Sequence, residues 1–523
     1  MVVDRSATTG SGSKDALPPD TTIVTSVQGV ARTHMALSNV LEQRKHRALT
    51  PYNANAWESQ LCTAGLLGRY KNLPDGLRVG FRINIPQITR TQDPPNKESI
   101  VTFAPEFLKI VNAEIAKGRY IGPFSRTDLE HLIGPFQSSP LSIIPKPGQP
   151  GRFRIVQNYS FPHTPSLRFP NPSINSTIDS DLFPSTWGTF NAICLLIRRL
   201  PPGSQAAMRD VAKAYRTIPL HYSQWPGSVV RTNKRELCLD TCTCFGVSPS
   251  SGVYGYLADA GTDLFRSHGM SPLSKWVDDH LFVRVLCEHL AWYNQQRQIW
   301  HTGLSQWGRH HNGGRIWYGG RRFEDGTLEE FDEDCTFPCR DLSAQSPRSE
   351  DDAKYTYNFA DINELSKELG IPWECSKDVP FATTAVFTGL VWDLEHITVS
   401  LSTEKKEKYL RAIHDWQEQT MHTLNDVQKI YGKLLHACLV VPRGRAYLTT
   451  LETMLGTCHD RPFVHYSPVK GISADLQWWS TLLQSAVLTR PIPGPVQLTD
   501  LGAFSDASSG IGIAIVINGQ WRA

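Results

Sequence analysis

The run KWVDDHLFVRV, residues 275–285, constrains this chain more than any other stretch. Apolar β-formers lie on both sides of two adjacent aspartates, Asp278 and Asp279. Two strands joined at an acidic tip are the natural reading. Like charges at such a tip repel, so the hairpin calls for a cation. A divalent metal meets that need and prefers hard oxygen ligands. Taken alone, an Asp-Asp pair is more simply a polar turn. A third acid changes the reading: Asp210 ends the apolar run QAAMR and precedes VAKAYRTIPL. On a neighbouring strand it would face the acidic tip, and three carboxylates from two strands can hold two Mg²⁺ ions.

The surroundings of these acids predict an α+β fold. LSIIPK, RFRIVQNY, QAAMRDV and ELCLDT read as short strands punctuated by Pro and Gly, with helical stretches around 188–199 and 250–266. That pattern gives a largely antiparallel sheet with helices on one side. Residues 1–100 read as a helical N-terminal extension, disordered over the first 20. Two helices are expected in 104–135, the second capped by Ser125. Residues 286–365 read as an insertion, partly a mobile loop, first aromatic and basic, then acidic. Helices return after Ser402, with Tyr409, Ile413 and Trp416 on one face and a capping box at Thr423 and Asp426. The end, 495–523, reads as strand, glycine turn and strand.

Composition excludes little but locates charge. At 40% hydrophobic and 20% charged residues the chain is globular rather than disordered. A net charge of +3 over 523 residues does not announce a polyanion partner. From Lys117 to Arg154, however, six Lys or Arg stand against two acids, a stretch able to track phosphates. Of the eleven cysteines, Cys335 and Cys339 lack a second pair at zinc-finger spacing, so free thiols in a reducing compartment are expected. No apolar signal core opens the sequence, and no run approaches the roughly 20 apolar residues that span a bilayer. The expectation is an intracellular chain, cytoplasmic or nuclear, with no membrane partner.

The ordered set IPKPGQPGRFRIVQNYS, RDVAKAYRTIP, FGVSPSSGVYG, KWVDDH, LGIPWECSK and FTGLVWD resembles the successive motifs of reverse transcriptases. It is most similar to those of long-terminal-repeat-type and DIRS-like retroelements of fungal genomes, over residues 115–455. The resemblance implies a right-hand polymerase fold: fingers and an antiparallel palm sheet in 101–400, thumb and connection helices in 401–490, and the start of an RNase H-like domain in 495–523. It implies an RNA-directed DNA polymerase, from a retroelement polyprotein, that adds deoxynucleotides to a primer 3′-hydroxyl with two Mg²⁺ ions, Mn²⁺ as a substitute. Its partners would be an RNA or DNA template-primer and dNTPs.

The same resemblance implies roles for single residues. Asp210, Val211, Asp278 and Asp279 would hold metal, and Lys377 in WECSK would protonate the leaving pyrophosphate. Lys146 and Arg154, on a fingers hairpin, would contact the triphosphate; Arg suits this because its planar fork binds phosphate oxygens in pairs. Tyr215 would be the gate beneath the sugar. Val211, Phe245 and Gly246 would complete the nucleotide site, with Phe245 where many retroviral enzymes carry Gln. Trp276 stands where Tyr or Leu is more frequent and would alter primer packing. Phe387, Gly389 and Leu390 resemble the primer-grip turn. Asp506, in AFSDASSGIGIAIV, matches the first carboxylate of RNase H. The later acids of that nuclease have no counterpart here, so a truncated segment without RNase H activity is expected. Two alternatives stay open: a decayed or domesticated copy that binds nucleic acid without catalysis, and a DNA-templated or template-independent nucleotidyltransferase using the same metal site.

Overall fold

The computed structural model describes residues 27–146, 149–307, 309–310, 316–322, 328–331, 335–345, 347–485, 488–494, 502–508, 512–517 and 520–522. The acid-bearing segments form a four-stranded antiparallel sheet in the order Val379–Ala382, Gln205–Asp210, Asp279–Arg284, Leu273–Trp276. Side-chain alternation along a strand fixes what each face buries. Ala206 pairs with Val283 and Met208 with Leu281, and this apolar file faces one core. Ala207 pairs with Phe282 and Arg209 with His280 on the other face.

Two large cores flank the sheet. One is built around Trp57, Leu61, Leu129, Phe136, Tyr254 and Leu264. The helix Ser250–Ser267 runs through it, buried along most of its length. Residues 54–85, read above as part of the helical N-terminal extension, supply Trp57, Leu61, Leu73 and Ile83 to this core. The second core joins the sheet to the strands Thr384–Phe387, Leu390–Asp393 and Thr398–Leu401 and to the helices Thr403–Gln417, Leu424–Ala437, Thr449–His459 and Ile472–Gln484. Ser402 caps the first of these, accepting from the Lys405 N–H, and Tyr409, Ile413 and Trp416 are its buried face. Asp426 accepts from both the backbone and the hydroxyl of Thr423.

Within 286–365, expected above to be an insertion and partly a mobile loop, the described residues include regular elements. Leu290–Trp307 is a helix, Ile316–Arg322 pairs with Leu328–Phe331, and Phe359–Leu369 is a second helix. Val285, Tyr293 and Cys339 make a small buried cluster there. The Tyr357 hydroxyl donates to the Val283 carbonyl at 2.8 Å, so this region closes back onto the acid-bearing sheet. Its Arg and His content concealed these buried anchors. All eleven cysteines are free, and the Cys339 thiol donates to the Ser271 carbonyl. Among the described residues, no helix is long and apolar enough to cross a membrane.

A charged network ties the Lys117 region to the segment after Asp210. Glu114 accepts from Arg119 Nε at 2.6 Å and from Arg216 Nη2 at 2.9 Å, and Arg216 also pairs with Asp240 at 2.7 Å. Burial alone would raise the Glu114 pKa, but the two guanidinium groups pull it down to about 2. Burial raises that of Asp240 against the pull of Arg216, whereas the lowered value of Glu114 means that its ionised form stabilises the fold. Its contribution is complete above its unfolded value, near 4.5, and disappears as pH falls through about 2. Glu114→Gln is therefore expected to cost on the order of 3 kcal/mol at pH 7. The gap to the parent should close between pH 4.5 and 2, which urea unfolding across that range measures.

Candidate active site

The file of apolar pairs in the central sheet ends in acids. One step past Met208 and Leu281, Asp210 stands directly opposite Asp279. The turn between Trp276 and Asp279 is made by Val277, at φ 53°, and Asp278. A β-branched residue with positive φ is strained and persists only where its surroundings hold it. Here the Val211 N–H donates to the Asp278 carbonyl at 3.0 Å and pins the tip across the strands. Opposed carboxylates repel by roughly 3–4 kcal/mol at about 5 Å in an effective dielectric near 20. Burying the Met208, Leu281 and Val283 side chains returns roughly 1.5–3 kcal/mol each, enough to keep the register.

The electrostatics show the strain on the acids. Burial raises the Asp278 pKa, and nearby Asp210 adds to the rise. Burial, then Asp278 and Asp210, push Asp279 up to about 6. Lys377 is the local counter-charge: its ammonium donates to Asp210 Oδ1 at 3.0 Å. Burial works to lower the Lys377 pKa, but the bond to Asp210 and the three acids raise it overall. The depressed value that suits a proton donor is thus absent while Asp210 holds the ammonium. The donor set, three half-buried carboxylates with little positive charge between them, fits a hard divalent cation. Yet among the described residues no group of three His, Cys, Asp or Glu side chains stands ready to hold one.

Sequence reasoning missed what fixes the Lys377 segment. Arg209, 2% exposed, grips Asp378 with Nε at 3.1 Å and Nη2 at 2.9 Å and reaches Asn363 with Nη1 at 2.6 Å. Its guanidinium lies over Trp373 at 4.8 Å and Phe359 at 5.2 Å. The segment so held donates Glu374 N–H to the Asp210 carbonyl and accepts the Ala212 N–H at Pro372. On the other side Lys275 is buried against Asp259 at 3.0 Å and the Thr186 carbonyl at 2.8 Å. Trp276, half-exposed, packs on Trp187 beside that pair. A cation within a short apolar strand, as in AMRDV and LSKW, is the signal that marks such residues: it is buried only when paired.

Tyr215 and Phe245 form an aromatic wall by the acids. Their rings meet edge to face at 4.8 Å, and Asp278 is close enough to help raise the Tyr215 pKa, after burial. Gly246 follows at φ 111°, and a Cβ there would lie 2.1 Å from the Gln157 carbonyl oxygen. Gly246→Ala should cost more than about 2 kcal/mol through clash and backbone strain together, read as a fall in thermal midpoint. Gln157 ends the hairpin Leu141–Pro145 with Phe153–Gln157, on which Lys146 and Arg154 are exposed. The wall is thereby joined to the two hairpin cations.

Other expected site residues lie apart. Phe387 and Leu390 are fully buried in the second core, whereas Thr384 and Val386 on the same hairpin are exposed and the Thr388–Gly389 turn is half-buried. The turn is packed, since a Cβ on Gly389 would lie 2.2 Å from Lys405 Cε. Asp506 is exposed on Ala503–Ser508, in a separate three-stranded sheet, and does not join the three acids.

No protein-family model and no curated protein matches the sequence. Among solved structures, a foamy viral protease-reverse transcriptase in complex with an RNA/DNA hybrid aligns with 88% of this chain and 46% of its own, at 14% identity and a TM-score of 0.47. The same protein in complex with dsDNA aligns with 94% of this chain and 78% of its own, at 14% identity and 0.41. The chain spans about half the length of the first of these.

Proposed function

We propose that this chain is an RNA-directed DNA polymerase of retroelement type, extending a primer 3′-hydroxyl with deoxynucleotides at Asp210, Asp278 and Asp279. One observation carries the reading: strands distant in sequence place Asp210 opposite Asp279, with the Val211 N–H on the carbonyl of Asp278. The ordered motifs supply the context. The three carboxylates and the Val211 backbone would hold two Mg²⁺ ions, or Mn²⁺ in their place. Such ions lower the pKa of an attacking hydroxyl and neutralise charge on a triphosphate. The chain's own groups do the positioning. Lys146 and Arg154 grip phosphate oxygens, Tyr215 and Phe245 face the sugar and base, and the backbone at Gly246 approaches them closely. Lys377, once released from Asp210, offers its ammonium to the leaving phosphates.

One observation favours a second reading. Lys377 already pairs with Asp210 at 3.0 Å, where a metal would otherwise bind. A decayed copy that binds nucleic acid without catalysis would have such a site. Primer extension on an RNA template with dNTPs separates the two. The polymerase reading expects full-length product with Mg²⁺ or Mn²⁺. Duplex binding without extension under either metal selects the non-catalytic reading, and extension without template selects a template-independent transferase. Mg²⁺ alone should also raise the thermal midpoint, because a ligand bound only by the folded state stabilises it.

A further inference from the structure

Asn175 sits at a junction that neither the motifs nor the acids explain. Its own N–H donates to the Tyr159 carbonyl at 3.0 Å, just beyond the strand Phe153–Gln157. Its side-chain Nδ2 donates to the Gly246 carbonyl at 2.8 Å and to Ser160 Oγ at 3.0 Å. Its Oδ1 accepts from the Ser248 N–H at 2.9 Å. One amide thus bridges both ends of the turn that follows Phe245. Gly246, at φ 111°, would let that turn swing, and the Phe245 ring is 60% exposed with its edge on Tyr215. Only an amide serves both contacts. A carboxylate keeps the acceptor for Ser248 but faces the Gly246 carbonyl with like partial charge.

We propose that Asn175 is a positioning residue that sets the Phe245–Tyr215 wall and, through it, the choice of deoxy- over ribonucleotides. The inference rests on the polymerase reading and deepens it. A ring that separates two sugars by one hydroxyl works only if its distance from the sugar is held, since a misplacement of about 1 Å is felt strongly in such sites.

Asn175→Asp and Asn175→Ala in the full chain test this with two readouts. The first is backbone amide hydrogen exchange over 245–248. The second is primer extension with dATP and with ATP, each giving KM and kcat separately. Losing one such hydrogen bond corresponds to about a tenfold effect. In Asn175→Ala, which removes the acceptor, Ser248 exchange should quicken by about that factor. In Asn175→Asp, which keeps it, the faster exchange should come from the turn released at Gly246 and be smaller. In both, KM for dATP should rise about tenfold with kcat nearly unchanged, and the preference over ATP should shrink to match. Unchanged exchange in both variants overturns the pin whatever the activity. Faster exchange with unaltered nucleotide preference overturns the selectivity role, as does a loss confined to kcat and thermal midpoint. If the parent extends no primer on any template, the polymerase reading fails and the selectivity role with it, while the exchange data still decide whether Asn175 holds the turn.

Discussion

Asp278→Asn should abolish templated extension while leaving the protein, in chelator, at least as stable as its parent. The substitution keeps shape and removes charge. Asp278 sits at the pinned tip, its pKa already raised by burial and by Asp210. It is also the largest influence after burial that pushes Asp279 up to about 6. Taking its charge away relieves repulsion on the order of 1 kcal/mol, so the thermal midpoint in EDTA should hold or rise slightly. Catalysis moves the other way. Charge stabilisation of several kcal/mol at a two-metal site, at about 1.4 kcal/mol per decade, corresponds to a loss of at least ~10³-fold. Gel-based extension and a melting curve in EDTA measure the two halves. Parental activity in the variant would remove Asp278 from the chemistry. A lower midpoint would mean that Lys377 had already cancelled its charge.

Arg209→Leu should be the most destabilising of the substitutions considered. It leaves the Asp378 carboxylate, 21% exposed, without its bidentate partner and empties the slot between Trp373 and Phe359. Breaking a buried pair from one side costs about 3–5 kcal/mol. Because Asp378 retains some water contact, the lower end is expected here, with urea denaturation as the measure. The change reaches further than stability. The segment from Pro372 to Asp378 brings Lys377 to Asp210 and bonds its strand through Glu374 and Ala212. Extension should therefore fall even at temperatures where the variant is folded. The double variant Arg209→Leu with Asp378→Asn should recover part of the lost stability. Strict additivity of the two single changes would show that the pair does not act as a unit.

The acids were legible in the sequence because their signal is local. Apolar alternation through Met208 and Leu281 and the Asp-Asp tip predict strands, and the register in the structure brings the three acids to one end of the sheet. The strands from Leu141 to Arg284 and the helices at Phe190–Arg198 and Ser250–Ser267 carry the same kind of local periodicity. Arg209 and Asn175 were not legible. Their partners Asp378, Asn363, Gly246 and Ser248 lie between 71 and 169 residues away, and no spacing rule links them. The regular elements after 286 were not legible because their buried anchors, Tyr293, Cys339 and Tyr357, are scattered among charged residues far apart in sequence. Phe387, Gly389 and Leu390 lie on one hairpin, but a sequence motif cannot say which side chains face inward, and Phe387 and Leu390 do.

The pairing of the Asp210 strand with its neighbour has an all-or-nothing character. Slide one strand past the other by a single position, and the imidazole of His280 takes the place across from Asp210 while Asp279 turns to the opposite face. A lengthened or shortened tip would therefore erase the acid trio instead of weakening it. Added length in the excursion after Arg284, by contrast, would leave the ladder of backbone bonds in step.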